Sequence, residues 1–230
     1  MSDPFVEIFD KGGADHYDQR NSCFAPVSSN LHFLGGILLS ELPDNARVLS
    51  VGVGTGTELV GLAKSHPQWE FVGIEPAASM AEGARRRMEV EGIADRYKIF
   101  TGYLDDYESE AGFDAVLCHL VMHFLKPEDR RHNYKRMAKI LLPSGLLLVS
   151  EISYDISSNS FDEMVLQWAR MHALASGGNP DVESQRNTLE KVLPIMAPDE
   201  VQALILDCGF CAPVKYYQSL FIHAWMARRA

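Results

Sequence analysis

The run 46-ARVLSVGVGTGTE-58 decides the fold. "ARVLSVGV" (46–53) is short and almost wholly apolar, with the turn-forming "LPDN" before it and glycines after it, so it reads as a strand buried on both faces. Gly52, Gly54 and Gly56 form GxGxG, and a helical pattern opens at Thr57 and runs to Ser65. Glycines at such a strand-to-helix turn let the backbone pass close to a ligand, and the helix N-terminus offers free N–H groups. The turn alone is a weak signal; an acidic residue closing the next strand turns it into a nucleotide site. That residue is Glu75, 19 positions beyond Gly56, where a carboxylate accepts both hydroxyls of a ribose. A dinucleotide-type GxGxxG needs glycine at 57, and Thr57 stands there.

Outward from this turn the same rhythm repeats. "EFVGIE" (70–75), "YKIFTG" (97–102), "FDAVLCHL" (113–120) and "LLLVSEIS" (146–153) read as further strands. Helical patterns over 77–91 and from Pro127 onward separate them, the latter with an acidic first turn that suits the helix dipole. Strand–helix alternation predicts parallel strands with right-handed crossovers. Residues 14–42 precede the first strand and carry Leu31, Leu34, Leu38 and Leu39 at helical spacing. Residues 154–196 interrupt the order with two helices, "FDEMVLQWARMHALA" and "VESQRNTLEKVL". A last helix, "APDEVQALILDCG", leads into "APVKYYQSLFIHAWMAR", two strands forming a hairpin at the sheet edge. The expected fold is α/β: a Rossmann-like, doubly wound, mostly parallel seven-stranded sheet with an antiparallel C-terminal strand and a helical insertion. It is read as one domain over 1–230, with a helical lid (14–42) and an insertion (154–196) that shapes the substrate or dimer side.

Composition narrows the function class. A net charge of −10 and a pI near 5.2 argue against a protein that tracks a nucleic-acid backbone. The densest basic run, Arg85-Arg86-Arg87, reads as a solvated helix face. Of four cysteines, only Cys208 and Cys211 make a CxxC, with no second pair and no Cys/His cluster, so no metal site and no disulfide framework are expected. The N-terminus shows no leader pattern and no apolar run approaches a membrane span, which predicts a cytoplasmic address.

The segments "VLSVGVGTGTE", "FVGIEPAASM", "FTGYLDDY", "FDAVLCHLVMHFL" and "LLPSGLLLVSE" resemble, in order and spacing, the successive motifs of class I S-adenosylmethionine-dependent methyltransferases. The resemblance runs from about Arg47 to Ser153 and returns in the closing strands. It implies S-adenosylmethionine as cofactor, with Gly52, Gly54, Thr55 and Gly56 at its methionine moiety and Glu75 on the ribose. Pro76, Met80, Tyr103 and Leu104 would flank the adenine, and His119 would face the methyl-transfer region. Tyr17 and Arg20 resemble the family's N-terminal lid segment, with Arg20 toward the cofactor carboxylate. Two positions depart from the pattern: Ser50 replaces an acidic residue, and Gly102-Tyr103 stands where Gly-Asp is usual.

Methyl transfer from a sulfonium is an in-line displacement, and a base is required only when the acceptor must lose a proton. His119, His123 and Tyr154 are the candidates for that role, with Glu151 and His172 beside the acceptor. A sharper resemblance, through "HFLKPEDRR" and "SQRNTLEKVL", is to carboxy-S-adenosylmethionine synthases. In that subgroup an arginine of the insertion holds the extra carboxylate across a dimer, and Arg186 occupies the matching place. Val27 stands where that subgroup has tyrosine, and His119 where it has asparagine. The leading expectation is methyl transfer to a small molecule. The alternative is a non-methylating use of the cofactor, either carboxy-S-adenosylmethionine synthesis or cyclisation with release of methylthioadenosine. The expected partners are a small-molecule substrate and a second copy in a homodimer, with neither nucleic acid nor membrane.

Overall fold

The computed structural model describes residues 4–21, 24–109 and 111–230. Seven strands form one sheet in the order β3-β2-β1-β4-β5-β7-β6. They are β1 Arg47–Val51, β2 Glu70–Glu75, β3 Tyr97–Thr101, β4 Phe113–His119, β5 Leu141–Ile152, β6 Val214–Ser219 and β7 Ile222–Arg228. The pairs among β1 to β5 are parallel, whereas β7 runs antiparallel between β5 and β6. The expected parallel directions of the first five strands and the antiparallel C-terminal hairpin at the sheet edge are those observed. Only a hairpin can bring β6 and β7 together at the edge, because the turn at Leu220 is too short for a crossover.

The helices are α1 Pro4–Gly12, α2 Ala14–Arg20, α3 Ala25–Leu39, α4 Thr57–Ser65, α5 Ala78–Val90, α6 Pro127–Ile140, α7 Phe161–Ser176, α8 Val182–Asn187 and α9 Pro198–Leu206. α4 and β2 match their predicted bounds. α1 is an addition that the reading of 14–42 as the lid does not include. β5 begins five residues earlier than the sequence suggests: Leu141 pairs with Phe113, the Pro-Ser-Gly turn bulges outward, and pairing resumes at Leu146–Ala115. Ser144 takes the left-handed conformation that this bulge requires (φ 61°). α8 runs into one π turn, Thr188–Val192, where the pattern predicts an unbroken helix.

Alternation along the central strands divides the core into two faces. Leu49, Val116, Leu147, Val149 and Trp225 meet α6 and α9, and Val48, Leu117, Leu146 and Leu148 meet α3 and α4. α3 packs closely on the sheet and on α4: a Cβ on Gly35 would make ordinary contact with Leu148 (3.6 Å) and one on Gly36 with Leu62 (3.9 Å). In the insertion, Phe161, Val165 and Trp168 turn inward onto Phe221 and Ile222, so the apolar stripe of α7 is core of its own chain. Among the described residues no helix is long and apolar enough to cross a membrane.

Candidate active site

The glycine turn sits at the C-terminal end of the sheet, where β1 stops and α4 begins. Gly52, Gly54 and Gly56 all have left-handed φ (69°, 58° and 76°), which side chains disfavour. At two of them space is also lacking: a Cβ would lie 2.4 Å from Val121 at Gly52 and 2.6 Å from the end of Met88 at Gly56. Glu75 is buried beside the turn and braces it. Its Oε2 accepts from the Gly54 N–H (2.9 Å) and its Oε1 from the Ala77 N–H (3.0 Å). Burial raises this carboxyl above the ordinary range, against the pull of the two N–H groups. Each oxygen keeps a second lone pair, the number that two ribose hydroxyls need. These residues therefore fit an adenosyl cofactor.

The N-terminal helices cover this end of the molecule. Phe9, Ala14 and Tyr17 close over Ala77 and Met80, and any side chain at Gly83 would meet Ala14 at 2.4 Å. Two clasps hold them. The Asp10 carboxylate accepts from the Ser79 N–H at the start of α5 (2.7 Å), and Asp18 accepts from the Thr55 hydroxyl (2.9 Å) and pairs with Arg87 (2.5 Å). Pro76 is half-buried between Glu75 and α5. Leu104 lies in the core and Tyr103 is exposed. Asp105 binds His132 and Asp106 the Tyr103 N–H, so both carboxylates of "LDDY" have local partners. The side chain of Arg20 lies outside the described residues, as does Cys23.

At the end of β4, His119 is held on both sides of its ring. Nε2 lies 3.2 Å from Oε1 of Glu58, in the first turn of α4, and Nδ1 lies 3.0 Å from the Ser150 hydroxyl on β5. Burial pushes the Glu58 carboxyl up, but the charge and hydrogen bond of His119 prevail and hold it below the ordinary range. The next residue, Leu120, is in the left-handed region (φ 58°) although it carries a side chain, a strain that recurs at functional sites. His32 of α3 faces this pair, its ring 6.4 Å from that of His119.

Other predicted residues are separated from that cluster. Glu151 projects from the opposite face of the sheet and is fully buried. It accepts from Arg130 (2.6 Å) and from the Tyr134 hydroxyl (2.5 Å), while Arg130 also donates to Leu125 O and Pro194 O. This corrects the expectation for Glu151, whose carboxylate ties the insertion to the sheet and is not open to an acceptor. His123 is buried in the turn after β4, accepts weakly from the Ile152 N–H (3.4 Å), and is pushed down to about 3 by burial and by Arg130. The Tyr154 hydroxyl is paired with Ser160 (2.8 Å) and its ring packs on Phe221. His172 turns inward, edge-on to Phe24 (5.0 Å) and Trp168 (5.2 Å). Arg186 pairs with Asp162 (2.7 Å) and Glu190 (3.1 Å) over the ring of Phe161.

Sequence reasoning missed Glu58, His32, Asp18 and the Arg130–Tyr134 pair. For Glu58 a signal was present, since it follows the glycine turn by two residues, where an acid is usually assigned to the helix dipole. His32 sits one helical turn before Gly35, which needs the packing of α3 to be recognised.

The family described as "Methyltransferase domain" matches residues 48–145, from β1 into β5. Carboxy-S-adenosyl-L-methionine synthase of Desulfotalea psychrophila is 25% identical over 225 residues, covering 96% of this chain and 88% of the relative. The enzyme of the same name from Campylobacter concisus is 27% identical over 198 residues, covering 85% and 82%. Among solved structures, an O-methyltransferase family protein from Burkholderia thailandensis aligns with a TM-score of 0.62 at 15% identity, covering 87% of this chain but 56% of that one. That likeness is one of fold. By motif order, sheet topology and these matches, the chain carries a methyltransferase domain over residues 48–145, has the fold of S-adenosylmethionine-dependent methyltransferases and is an enzyme that uses S-adenosylmethionine.

Proposed function

We propose that the protein transfers the methyl group of S-adenosylmethionine to a small molecule, as one cytoplasmic domain whose insertion shapes the acceptor side. The observation that carries this reading is the state of Arg186. In the alternative, carboxy-S-adenosylmethionine synthesis, that arginine would have to grip a second carboxylate across a dimer. Here it is neutralised within its own chain by Asp162 and Glu190. His119, paired with Glu58, also replaces the asparagine of that subgroup. The names of the curated relatives favour the alternative, and it stays the second reading for that reason. A homodimer belongs to the proposal too. With the stripe of α7 in the core, the surface that suits it is an open apolar groove of about 730 Å³ lined by Met171, Leu174 and Leu220.

The test is incubation of the purified protein with S-adenosylmethionine alone, followed by mass spectrometry. An intact, bound cofactor supports methyl transfer and directs the search to acceptors. Methylthioadenosine or a carboxylated cofactor would replace it with the second reading.

A further inference from the structure

We propose that His32 is the base that takes the acceptor's proton, and that Glu58 is the positioning residue that holds the resulting imidazolium. The proposal rests on the methyl-transfer reading and on four side chains brought together from four elements: His32 (α3), Glu58 (α4), His119 (β4) and Ser150 (β5). They form a polar island on a face otherwise made of Leu39, Leu62, Leu117 and Leu148. Within it, His119 is committed. Its Nε2 is engaged by the Glu58 carboxylate and its Nδ1 by the Ser150 hydroxyl, so neither ring nitrogen is open to an acceptor. Taking a proton from an acceptor would cost His119 one of those bonds. His32 makes no side-chain hydrogen bond to the described residues and is free to act.

Its position fits the task. α3 runs from Phe24, in contact with Trp168 and His172 of the insertion, to His32 beside the end of β4, so one helix spans from the insertion to the methyl-transfer region. Among the described residues, two charged or titratable groups face His32: Glu58 from α4 and His119 from β4. Burial holds the His32 imidazole below its ordinary range, Glu58 opposes this and His119 adds to it, so the ring is neutral at pH 7, in the form that can accept a proton. In the step, the acceptor's O–H or N–H proton passes to His32 while its lone pair forms the bond to the methyl carbon. The carbon–sulfur bond breaks with its electrons going to sulfur, giving a neutral thioether. The new positive charge on His32 is balanced by Glu58. The acceptor class is therefore a molecule whose nucleophile must be deprotonated, not one with a free lone pair at neutral pH.

The experiment starts with the histidine resonances of the free protein. In E58Q the pKa of His32 should fall by about 1 unit, because an opposite charge is lost from its surroundings. An unmoved His32 pKa overturns the proposal. Cofactor affinity by calorimetry should stay within about threefold in both E58Q and H32N, since neither residue is at the adenosyl site; a larger loss marks a structural role and counts against it. With an acceptor found by screening, H32N should lower kcat by roughly 10²–10⁴-fold, and E58Q should displace the acid limb of the pH profile. Wild-type turnover in H32N overturns the base while leaving methyl transfer intact. Products from S-adenosylmethionine alone would instead remove the methyl-transfer reading.

Discussion

Replacing Arg130 with methionine isolates the carboxylate of Glu151. Both side chains are 0% exposed, and the guanidinium serves three acceptors: Glu151, Leu125 O and Pro194 O. R130M leaves Glu151 with the Tyr134 hydroxyl alone and strips both carbonyls of their donor. Removing one partner of a buried pair costs roughly 3–5 kcal/mol, because the remaining charge cannot be solvated. At about 2–4 °C per kcal/mol for a chain of this size, Tm should fall by roughly 6–20 °C. The loss should also depend on pH. Burial already holds the Glu151 carboxyl above its ordinary range while Arg130 and Tyr134 pull it down, so removing Arg130 raises it further. An acid whose folded pKa lies above its unfolded value is protonated first in the fold, and stability recovers as pH falls toward the unfolded value. The deficit of R130M should therefore be largest near pH 8 and shrink toward pH 5, and R130M/E151L should regain most of it. Urea denaturation followed by fluorescence of the buried Trp69, Trp168 and Trp225 reads all three. A deficit under about 1 kcal/mol at pH 8, or one that is flat with pH, would refute the reasoning.

Two buried histidines make the fold sensitive to acid. His123 is held down to about 3 and His223, buried with neither ring nitrogen hydrogen-bonded, down to about 4. Below pH 6.5 the unfolded chain takes up protons that the fold refuses, so each costs up to about 1.4 kcal/mol per pH unit until its folded pKa is reached. Wild-type Tm should drop steeply between pH 6.5 and 4, and H223L should flatten that slope; an equal slope in both would contradict the assignment. E75Q sets an amide NH2 against one of the two backbone N–H donors and removes the ionised acceptor proposed for two hydroxyls, and should weaken S-adenosylmethionine binding by about 10–100-fold in calorimetry. Unchanged affinity would remove Glu75 from the ribose. R186A should leave cofactor affinity and the products formed from the cofactor as they are in the wild type, whereas carboxylated product that disappears in R186A would restore that arginine to the second reading.

The parts of this architecture legible in the sequence are those fixed by local patterns. The strand–GxGxG–helix turn needs positive φ at three positions, and only glycine supplies that cheaply. Glu75 follows at the spacing set by one βαβ unit. The antiparallel β7 follows from the short turn at Leu220. What was not legible depends on which faces meet. Periodicity marks the stripe Phe161–Val165–Trp168 as apolar but does not say whether its partner is Phe221 of the same chain or a second subunit. Position in the chain likewise put Glu151 beside Ser150 at the end of β5, yet adjacent strand residues point to opposite faces of the sheet. The α6 face took Glu151 and the α3–α4 face took Ser150, so one residue joined a structural pair and the other the His119 cluster.

That division separates two buried acids by what neutralises them. Glu151 is paired with arginine, which stays charged at every pH the fold survives; such a pair can hold the insertion to the sheet but cannot pass a proton. Glu58 is paired with a histidine and faces a second one, and imidazole changes charge near neutrality. A negative charge kept beside titratable rings, at the end of β4 and next to a strained Leu120, lowers the cost of forming a cation there. The same sheet therefore carries a carboxylate fixed by arginine on one face and a carboxylate beside two imidazoles on the other. Removing the partner should expose this dependence: in H119M, Glu58 would lose the interaction that opposes its burial, and its pKa should rise above the ordinary carboxyl range. Carboxylate-detected NMR of H119M tests this, and a Glu58 still titrating below that range would show that His119 is not what holds it.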